Sequence, residues 1–482
     1  MKNILFIASE GVPFIKTGGL ADVVGSLPKS LDKKYFDVRV VLPKYTCIRQ
    51  ELKDKMKYKT HFYLDFDWKS EYVGVLEAKV DGITYYFIDN ESYFSGFSIY
   101  SDNVLDEIRK FSFFCKAALS ALPLTGFRPD LIHCHDWQTG LVPVYMKDSF
   151  RGGEFYWNMK SVMTIHNLKF QGNEHIDAIK FFSGLSDYYF TSDKMEAFED
   201  GNMLKGGLTY ADALTTVSPT YAEEIKTEEY GEKLEGVLNS RSHDLRGILN
   251  GIDYDVFNTT NNVHILWPYD SSNVQDEKYK NKLALQQMLG LPRNPNVFML
   301  GMITRLTSQK GLDLVAYILD EVLHFDDVQL VALGTGDYQY EEMLRHFAWK
   351  YPNKVSANIY YSDDLSHKIY AASDAFLMPS KFEPCGLSQL MALKYGSIPI
   401  VRETGGLRDT VEAYNEFDHT GTGFTFYNYN AHELMDTIRR AEHLYYDNRE
   451  EWNNMVKRAM ERDFSWQASA KKYQEMYDWL IG

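Results

Sequence analysis

Cysteine is scarce in this chain: four residues in 482 (Cys47, Cys115, Cys134, Cys385), with no CxxC pair among them. A disulfide framework and a cysteine zinc site are thereby excluded, and a reducing compartment is implied. Positive charge is also short, 51 Lys and Arg against 67 Asp and Glu, for a net charge of -16. Such a surface repels nucleic acid and anionic membranes, so neither is expected as a partner. Cations that bind phosphate must then be a local exception. No apolar run approaches membrane-spanning length. Met1 leads at once into the strand-like Asn3–Ala8 with no charged leader, so the expected location is the cytoplasm. A Gly-Lys dipeptide is missing, which rules out a Walker loop. Gly334-Thr335-Gly336 starts like a dinucleotide fingerprint, but Gln339 stands where the third glycine belongs. Internal repeats and low-complexity tracts are absent as well.

What remains is an ordinary globular composition, 45% hydrophobic and 24% charged, on a chain long enough for two large domains. Short apolar runs bounded by turn residues alternate with helical patterns, as buried parallel strands do. In the first half these runs are Ile4–Ala8, Val38–Pro43, Thr84–Ile88, Leu131–His135, Ser161–His166 and Ala213–Ser218. A polar passage from Asn250 through Asn273 separates them from a second series: Val297–Ile303, Val328–Gly334, Ala375–Pro379 and Ile398–Val401. The fold class is therefore α/β, with two parallel-sheet domains facing a cleft. Trp466–Leu480 reads as a closing helix. Aromatics make up 15% of the chain, 34 of them Tyr, and most are expected in the core.

The chemistry-bearing residues fall at strand ends, where an α/β sheet gathers its ligands. Lys16-Thr17-Gly18-Gly19-Leu20 follows the first strand and opens a helix, an arrangement suited to an anion. The plainer alternative is an ordinary turn with a surface lysine. His133-Cys134-His135-Asp136 places two imidazoles on one strand face, but further metal ligands are lacking. Asp136 and Trp137 are better read as cleft floor, and His166-Asn167 as polar contacts to a sugar. Arg305 and Lys310 bracket a strand exit and a helix start: a fork and a point charge for phosphate oxygens, unless they are merely solvated. In Glu383-Pro384-Cys385-Gly386-Leu387, proline and glycine hold a loop open and set Glu383 at the cleft. Cys385 has no neighbouring base and reads as a contact, not a nucleophile. Gly405-Gly406 after Val401 repeats the phosphate-friendly turn.

Taken in order, Lys16–Val23, His133–Trp137, Thr164–Asn167, Asn250–Asp253, Arg305–Gly311, Glu383–Leu387 and Thr404–Leu407 resemble the bacterial glycogen synthases of glycosyltransferase family 5. The resemblance covers nearly the whole chain. It implies the GT-B fold: Rossmann-like domains over residues 1–247 and 248–462, and a helix over 463–482 crossing back to the first. The first domain would take the glucan and the second the nucleotide sugar. It further implies retaining transfer of glucose from ADP-glucose to the non-reducing end of an α-1,4-glucan, with no metal and no other cofactor. Arg305 and Lys310 would neutralise the departing diphosphate, and Lys16, Gly18 and Gly19 would close over it. Glu383 and the amides following Cys385, at Gly386 and Leu387, would hold the glucose hydroxyls. His166 would lie beside the anomeric centre, Asp22 and Asp136 along the first-domain wall, and Tyr361 against the base. Asn167, Asn250, Thr404, Gly405 and Gly406 complete the expected contacts.

Retention ordinarily uses a carboxylate nucleophile. None presents itself, and a front-face route assisted by the leaving phosphate is expected instead. Met391 occupies the place where related retaining transferases carry a second glutamate, and Asp363 stands where a glutamate is expected near the base. The competing readings are a UDP-glucose-dependent transferase and a non-catalytic glucan-binding protein. The latter predicts loss of charged positions, yet Lys16, Arg305, Lys310 and Glu383 are all present.

Overall fold

The computed structural model describes residues 1–66 and 69–482. The chain divides into two compact units: Met1–Asn250 with Trp466–Gly482, and Gly251–Ser465.

The first unit is built on a nine-stranded sheet. Its order is Leu245–Gly247, Ala213–Thr216, Lys160–Ile165, Leu131–His135, Lys2–Ile7, Phe36–Pro43, Ile83–Asp89, Lys69–Val80 and Lys57–Phe66. Neighbours run parallel as far as Ile83–Asp89. Lys69–Val80 is antiparallel to both of its neighbours. Every residue of Leu131–His135 is buried, as expected of a strand covered on both faces. The chain leaves Lys2–Ile7 toward Phe36–Pro43 on one side and returns at Leu131–His135 on the other. The point where the winding reverses lies between those two central strands.

The outer hairpin was not legible in the sequence. Its edge strand Lys57–Phe66 is largely solvent-facing, and lysines 57 and 59 blunt its open side. An antiparallel edge needs only one apolar face, so its polar residues gave no apolar run to read.

The second unit holds a six-stranded, wholly parallel sheet. Its order is Val355–Asn358, Val328–Leu333, Phe298–Ile303, Ala375–Met378, Ile398–Arg402 and Phe424–Phe426. Here the winding reverses between Phe298–Ile303 and Ala375–Met378, the place where such sheets bind ligands.

Buried polar anchors fix both sheets away from those points. In the first unit, the Trp466–Ile481 helix packs on the Gly19–Ser30 helix. Its fully buried Tyr477 reaches His133 Nδ1 at 2.7 Å, while His133 Nε2 meets Thr164 Oγ1 at 2.5 Å. With both ring nitrogens engaged, His133 is a sheet anchor and is not available to a metal. In the second unit, Lys282 Nζ donates to Asp374 Oδ2 at 2.6 Å, to the Pro295 and Val297 carbonyls and to Tyr445 Oη. Asp374 also accepts the Met299 amide at 2.8 Å. This pair locks the amino edge of the sheet.

Tyr477→Phe leaves His133 Nδ1 without its partner and is expected to cost about 1–3 kcal/mol. Lys282→Met strands a buried carboxylate and is expected to cost more, about 3–5 kcal/mol. Urea unfolding of the two variants beside the parent checks both values and their order.

Candidate active site

In the second unit, the strand Phe298–Ile303 runs out into Thr304-Arg305, and a single 3-10 turn at Ser308–Lys310 follows. Gly311 closes that turn at φ 76°, and a Cβ there would lie 2.1 Å from the Pro379 carbonyl. Only glycine permits this turn so close to the neighbouring strand exit. Its effect is to aim Lys310 across to the loop that leaves Ala375–Met378. Lys310 Nζ donates to Glu383 Oε2 at 2.6 Å, and the same oxygen accepts from Ser380 Oγ at 3.0 Å. The two loops are also joined through the backbone, Lys381 N to Gln309 O at 2.8 Å. The Lys310 side chain is 16% exposed and that of Glu383 8%. Arg305 is exposed and, among the described residues, its guanidinium engages no other side chain. One paired cation and one unengaged cation therefore stand where the sheet reverses, ready to gather a polyphosphate.

The neighbouring loops are arranged differently from the sequence expectation. Gly405 has φ 45°, and a Cβ on it would meet the Glu383 carbonyl at 2.0 Å. One on Gly406 would meet the Cys385 carbonyl at the same distance. The Gly406 amide donates to the carbonyls of Glu383 and Pro384, both at 3.1 Å, so it is not open to a phosphate. The glycine pair serves to interlock two loops. Thr404 is fully buried at the start of the Gly405–Thr410 helix, and Cys385 is buried too. A side-chain contact to ligand is thus corrected for both. Gly386 and Leu387 are partly exposed ahead of the Ser388–Lys394 helix. Tyr361 is 85% exposed just past the Val355–Asn358 strand, free to offer its ring face.

In the first unit, Asp136 follows Leu131–His135 with φ 56°, a conformation uncommon for a non-glycine residue. Two ladder-like bonds impose it: its amide donates to Thr164 O at 2.9 Å, and its Oδ1 accepts the His166 amide at 2.7 Å. The Asn167 amide also bonds to the carboxylate, and burial outweighs these donors, pushing the carboxyl up to about 7. His166 Nε2 and His135 Nδ1 lie 3.0 Å apart. Burial holds His166 down to about 3, so it is neutral at physiological pH. Asn167 is partly exposed, its Oδ1 taking the Lys169 amide at 3.1 Å. Trp137 turns inward against Gly172 and Phe111, which corrects its expected place on the cleft floor. Asn250 is buried with Oδ1 unbonded.

Lys16 pairs with Asp22 at 2.7 Å, with side chains 48% and 27% exposed. An exposed pair of this kind is weak and exchanges readily for an anion. Gly18 and Gly19 border it, the first partly exposed and the second exposed. The residue that shapes this loop is Glu10, absent from the sequence reading. Its buried carboxylate accepts from the Thr17 amide and from the Thr17 hydroxyl at 3.0 Å, and Gly18 adds a backbone donor. Tyr100 Oη reaches Glu10 at 3.3 Å and Ser9 Oγ at 2.8 Å. Burial raises the Glu10 carboxyl above its ordinary value. An acid two residues past the apolar run Ile4–Ala8 was the available signal.

Residues 3–240 match the starch synthase catalytic domain family and residues 286–462 match glycosyl transferases group 1. The chain is 61% identical to a glycogen synthase of Lachnospira eligens and 56% identical to one of Lachnoclostridium phytofermentans, each over 100% of both chains. Among solved structures, the catalytic domain of starch synthase IV from Arabidopsis thaliana, bound to ADP and acarbose, superposes with a TM-score of 0.89 at 35% identity. That match covers 100% of this chain and 99% of the other. Sucrose-phosphate synthase from Thermosynechococcus elongatus shares the GT-B fold alone, at TM-score 0.62 and 16% identity over 100% and 99% of the two chains. With full-length identity at this level and the charged strand-end residues in place, the chain belongs to the glycogen synthase family of glycosyltransferases.

Proposed function

We propose that this chain transfers glucose from ADP-glucose to the non-reducing end of an α-1,4-glucan with retention of configuration, releasing ADP. The observation that carries the reading is the Lys310–Glu383 pair beside the unengaged Arg305. Breaking a glycosyl phosphate bond pushes negative charge onto the diphosphate. Fixed cations whose attraction grows with that charge lower the barrier more than they tighten the ground state. Lys310 has three donors, so it turns to the phosphate while keeping Glu383 oriented toward the glucose hydroxyls, with the amides of Gly386 and Leu387 beside it. Arg305 forks onto the remaining phosphate oxygens. Tyr361 offers its ring to the base.

On the first unit, Lys16 exchanges Asp22 for the diphosphate while Glu10 holds the loop in shape. Asp136 accepts from a sugar hydroxyl, and the neutral His166 lies against the anomeric carbon without carrying charge. His166 is no carboxylate, and the ionised Asp136 is taken up by the His166 and Asn167 amides and the sugar hydroxyl, which favours the front-face route. The glucan then lies on the first unit and the nucleotide sugar on the second. The ADP-bound relative supports adenine as the base.

Incorporation of radiolabelled glucose into glycogen from ADP-glucose, compared with UDP-glucose, tests the donor. A rate at least about tenfold higher with ADP-glucose is expected, and equal rates would refute the base assignment. Lys310→Ala is expected to lower kcat by about 10²–10³-fold. The KM for glucan should change little, as measured by initial rates at saturating donor. For Asp136, the ionised form is the acceptor of the sugar hydroxyl, so kcat/KM for glucan should fall as pH drops below about 7. His166, at about 3, contributes no limb in that range. In Asp136→Asn the rate is lower and this limb is gone. The same carboxyl titrates from 3.8 when unfolded, so the parent also loses stability as pH rises from about 4 to 7, because only the folded chain keeps the proton.

A further inference from the structure

In the first unit a row of imidazoles leads from the Trp466–Ile481 helix to the strand ends. On the paired strands Leu131–His135 and Lys160–Ile165, alternate residues share one face. That sets His133 and His135 beside Thr164 and beside His166, one residue past the strand. Tyr477 and Thr164 hold His133 by both ring nitrogens. His133 in turn lies against His135, with centroids 4.3 Å apart and planes 28° from parallel. Phe6 packs on the same ring at 5.2 Å. His135 is fully buried, and these neighbours fix its orientation.

His135 meets His166 edge to edge. Its Nδ1 is 3.0 Å from His166 Nε2, with ring centroids 5.3 Å apart and planes 32° from parallel. Burial keeps both rings neutral, holding His166 down to about 3 and His135 well below its ordinary value. Each ring therefore has one N–H and one lone pair, and a single proton lies between the two. The far nitrogen of His135, Nε2, is buried and has no hydrogen-bond partner among the described residues. If His166 were the donor, His135 would carry its own proton at Nε2, as a buried N–H with no acceptor. Buried donors are orphaned more rarely than buried acceptors, so this is the costlier arrangement. His135 therefore donates from Nδ1, His166 accepts on Nε2, and the proton of His166 sits on Nδ1. The His166 ring makes no other hydrogen bond among the described residues, and His166 is partly exposed.

We propose that His135 is a positioning residue for glucosyl transfer: its Nδ1–H fixes His166 as the tautomer with a donor on Nδ1. The assignment rests on the proposed place of His166 beside the anomeric carbon. There the tautomer has two effects. The His166 Nδ1–H donates to a hydroxyl oxygen of the glucose and orients the sugar as its bond to phosphate breaks. The lone pair of His166 is occupied by His135, so no imidazole nitrogen is left to attack the anomeric carbon as it becomes electron-poor. With the opposite tautomer, that lone pair would compete with the incoming glucan hydroxyl. His135 touches no substrate and acts only through His166.

Long-range ¹H–¹⁵N spectra of the full chain carrying ¹⁵N-labelled histidine read the tautomers directly at neutral pH, with the His166 signals assigned through His166→Gln. Both His135 and His166 are expected to be protonated on Nδ1. In His135→Leu, which lacks the donor, His166 should gain a population protonated on Nε2. Initial rates with ADP-glucose should then show kcat lower by about tenfold, the worth of one hydrogen bond, with KM for glucan within about twofold. His135→Asn returns a donor near the Nδ1 position and should recover most of the rate. A mere packing defect would leave the smaller, polar Asn no better than Leu. The proposal is overturned if His166 in the parent is protonated on Nε2, if His135→Leu matches the parent in rate, or if His135→Asn is as slow as His135→Leu. Should neither variant fold, the spectra of the parent decide alone. They need no turnover, so a parent inactive with both ADP-glucose and UDP-glucose would refute the proposed function, while an Nε2-protonated His166 would refute the role of His135.

Discussion

The ion pair between Lys310 and Glu383 joins two loops 73 residues apart at the one place where the second sheet reverses its winding. Much around it serves that contact. Gly311 brings the lysine close to the neighbouring strand exit, Ser380 fixes the carboxylate oxygen, and Gly405-Gly406 brace the Glu383 loop from behind. The pair has a counterpart at the opposite edge of the same sheet, Lys282 with Asp374. The difference lies in what surrounds each lysine. Lys282 is enclosed by four oxygen acceptors and is saturated, a structural lock. Lys310 bonds to one carboxylate, retains some exposure and stands near an unengaged arginine. The same two functional groups thus act as a clamp at one edge and, in the proposed reaction, as a receptor for growing negative charge at the other.

The first unit solves a different problem: it must present polar groups at strand ends without surplus charge. His133, His135 and His166 are neutral because burial disfavours the imidazolium, and the carboxyls of Glu10 and Asp136 are raised for the same reason. Glu10 is held by donors of the Lys16–Gly19 loop, so the carboxylate gives that glycine-rich turn its shape. In the proposed reaction such a surface suits a neutral, hydroxyl-rich acceptor, and the cations of the second unit suit the nucleotide.

Most strands of both sheets were legible because a parallel strand covered on both faces must be a continuous apolar run, as Leu131–His135 and Val328–Leu333 are. The Lys57–Phe66 and Lys69–Val80 strands escaped because the edge they form is largely polar and solvent-facing. Arg305, Lys310, Glu383 and Asp136 were found at strand ends because the sheet gathers those ends together. Thr404 and Gly405-Gly406 were misplaced, since a glycine turn made for packing and one made for phosphate look alike in one dimension. Glu10 went unnoticed because its partners, Thr17 and Tyr100, lie on other loops, the latter 90 residues away.

Local composition was thus enough for the α/β class, the strand order along the chain and the charged residues at strand exits, because burial and winding rules act on short stretches. Which cation is saturated and which is open, and which carboxyl keeps its proton, depended on neighbours brought together by folding. Electrostatic and hydrogen-bonding effects fall off over a few ångströms, so only the three-dimensional arrangement sets them.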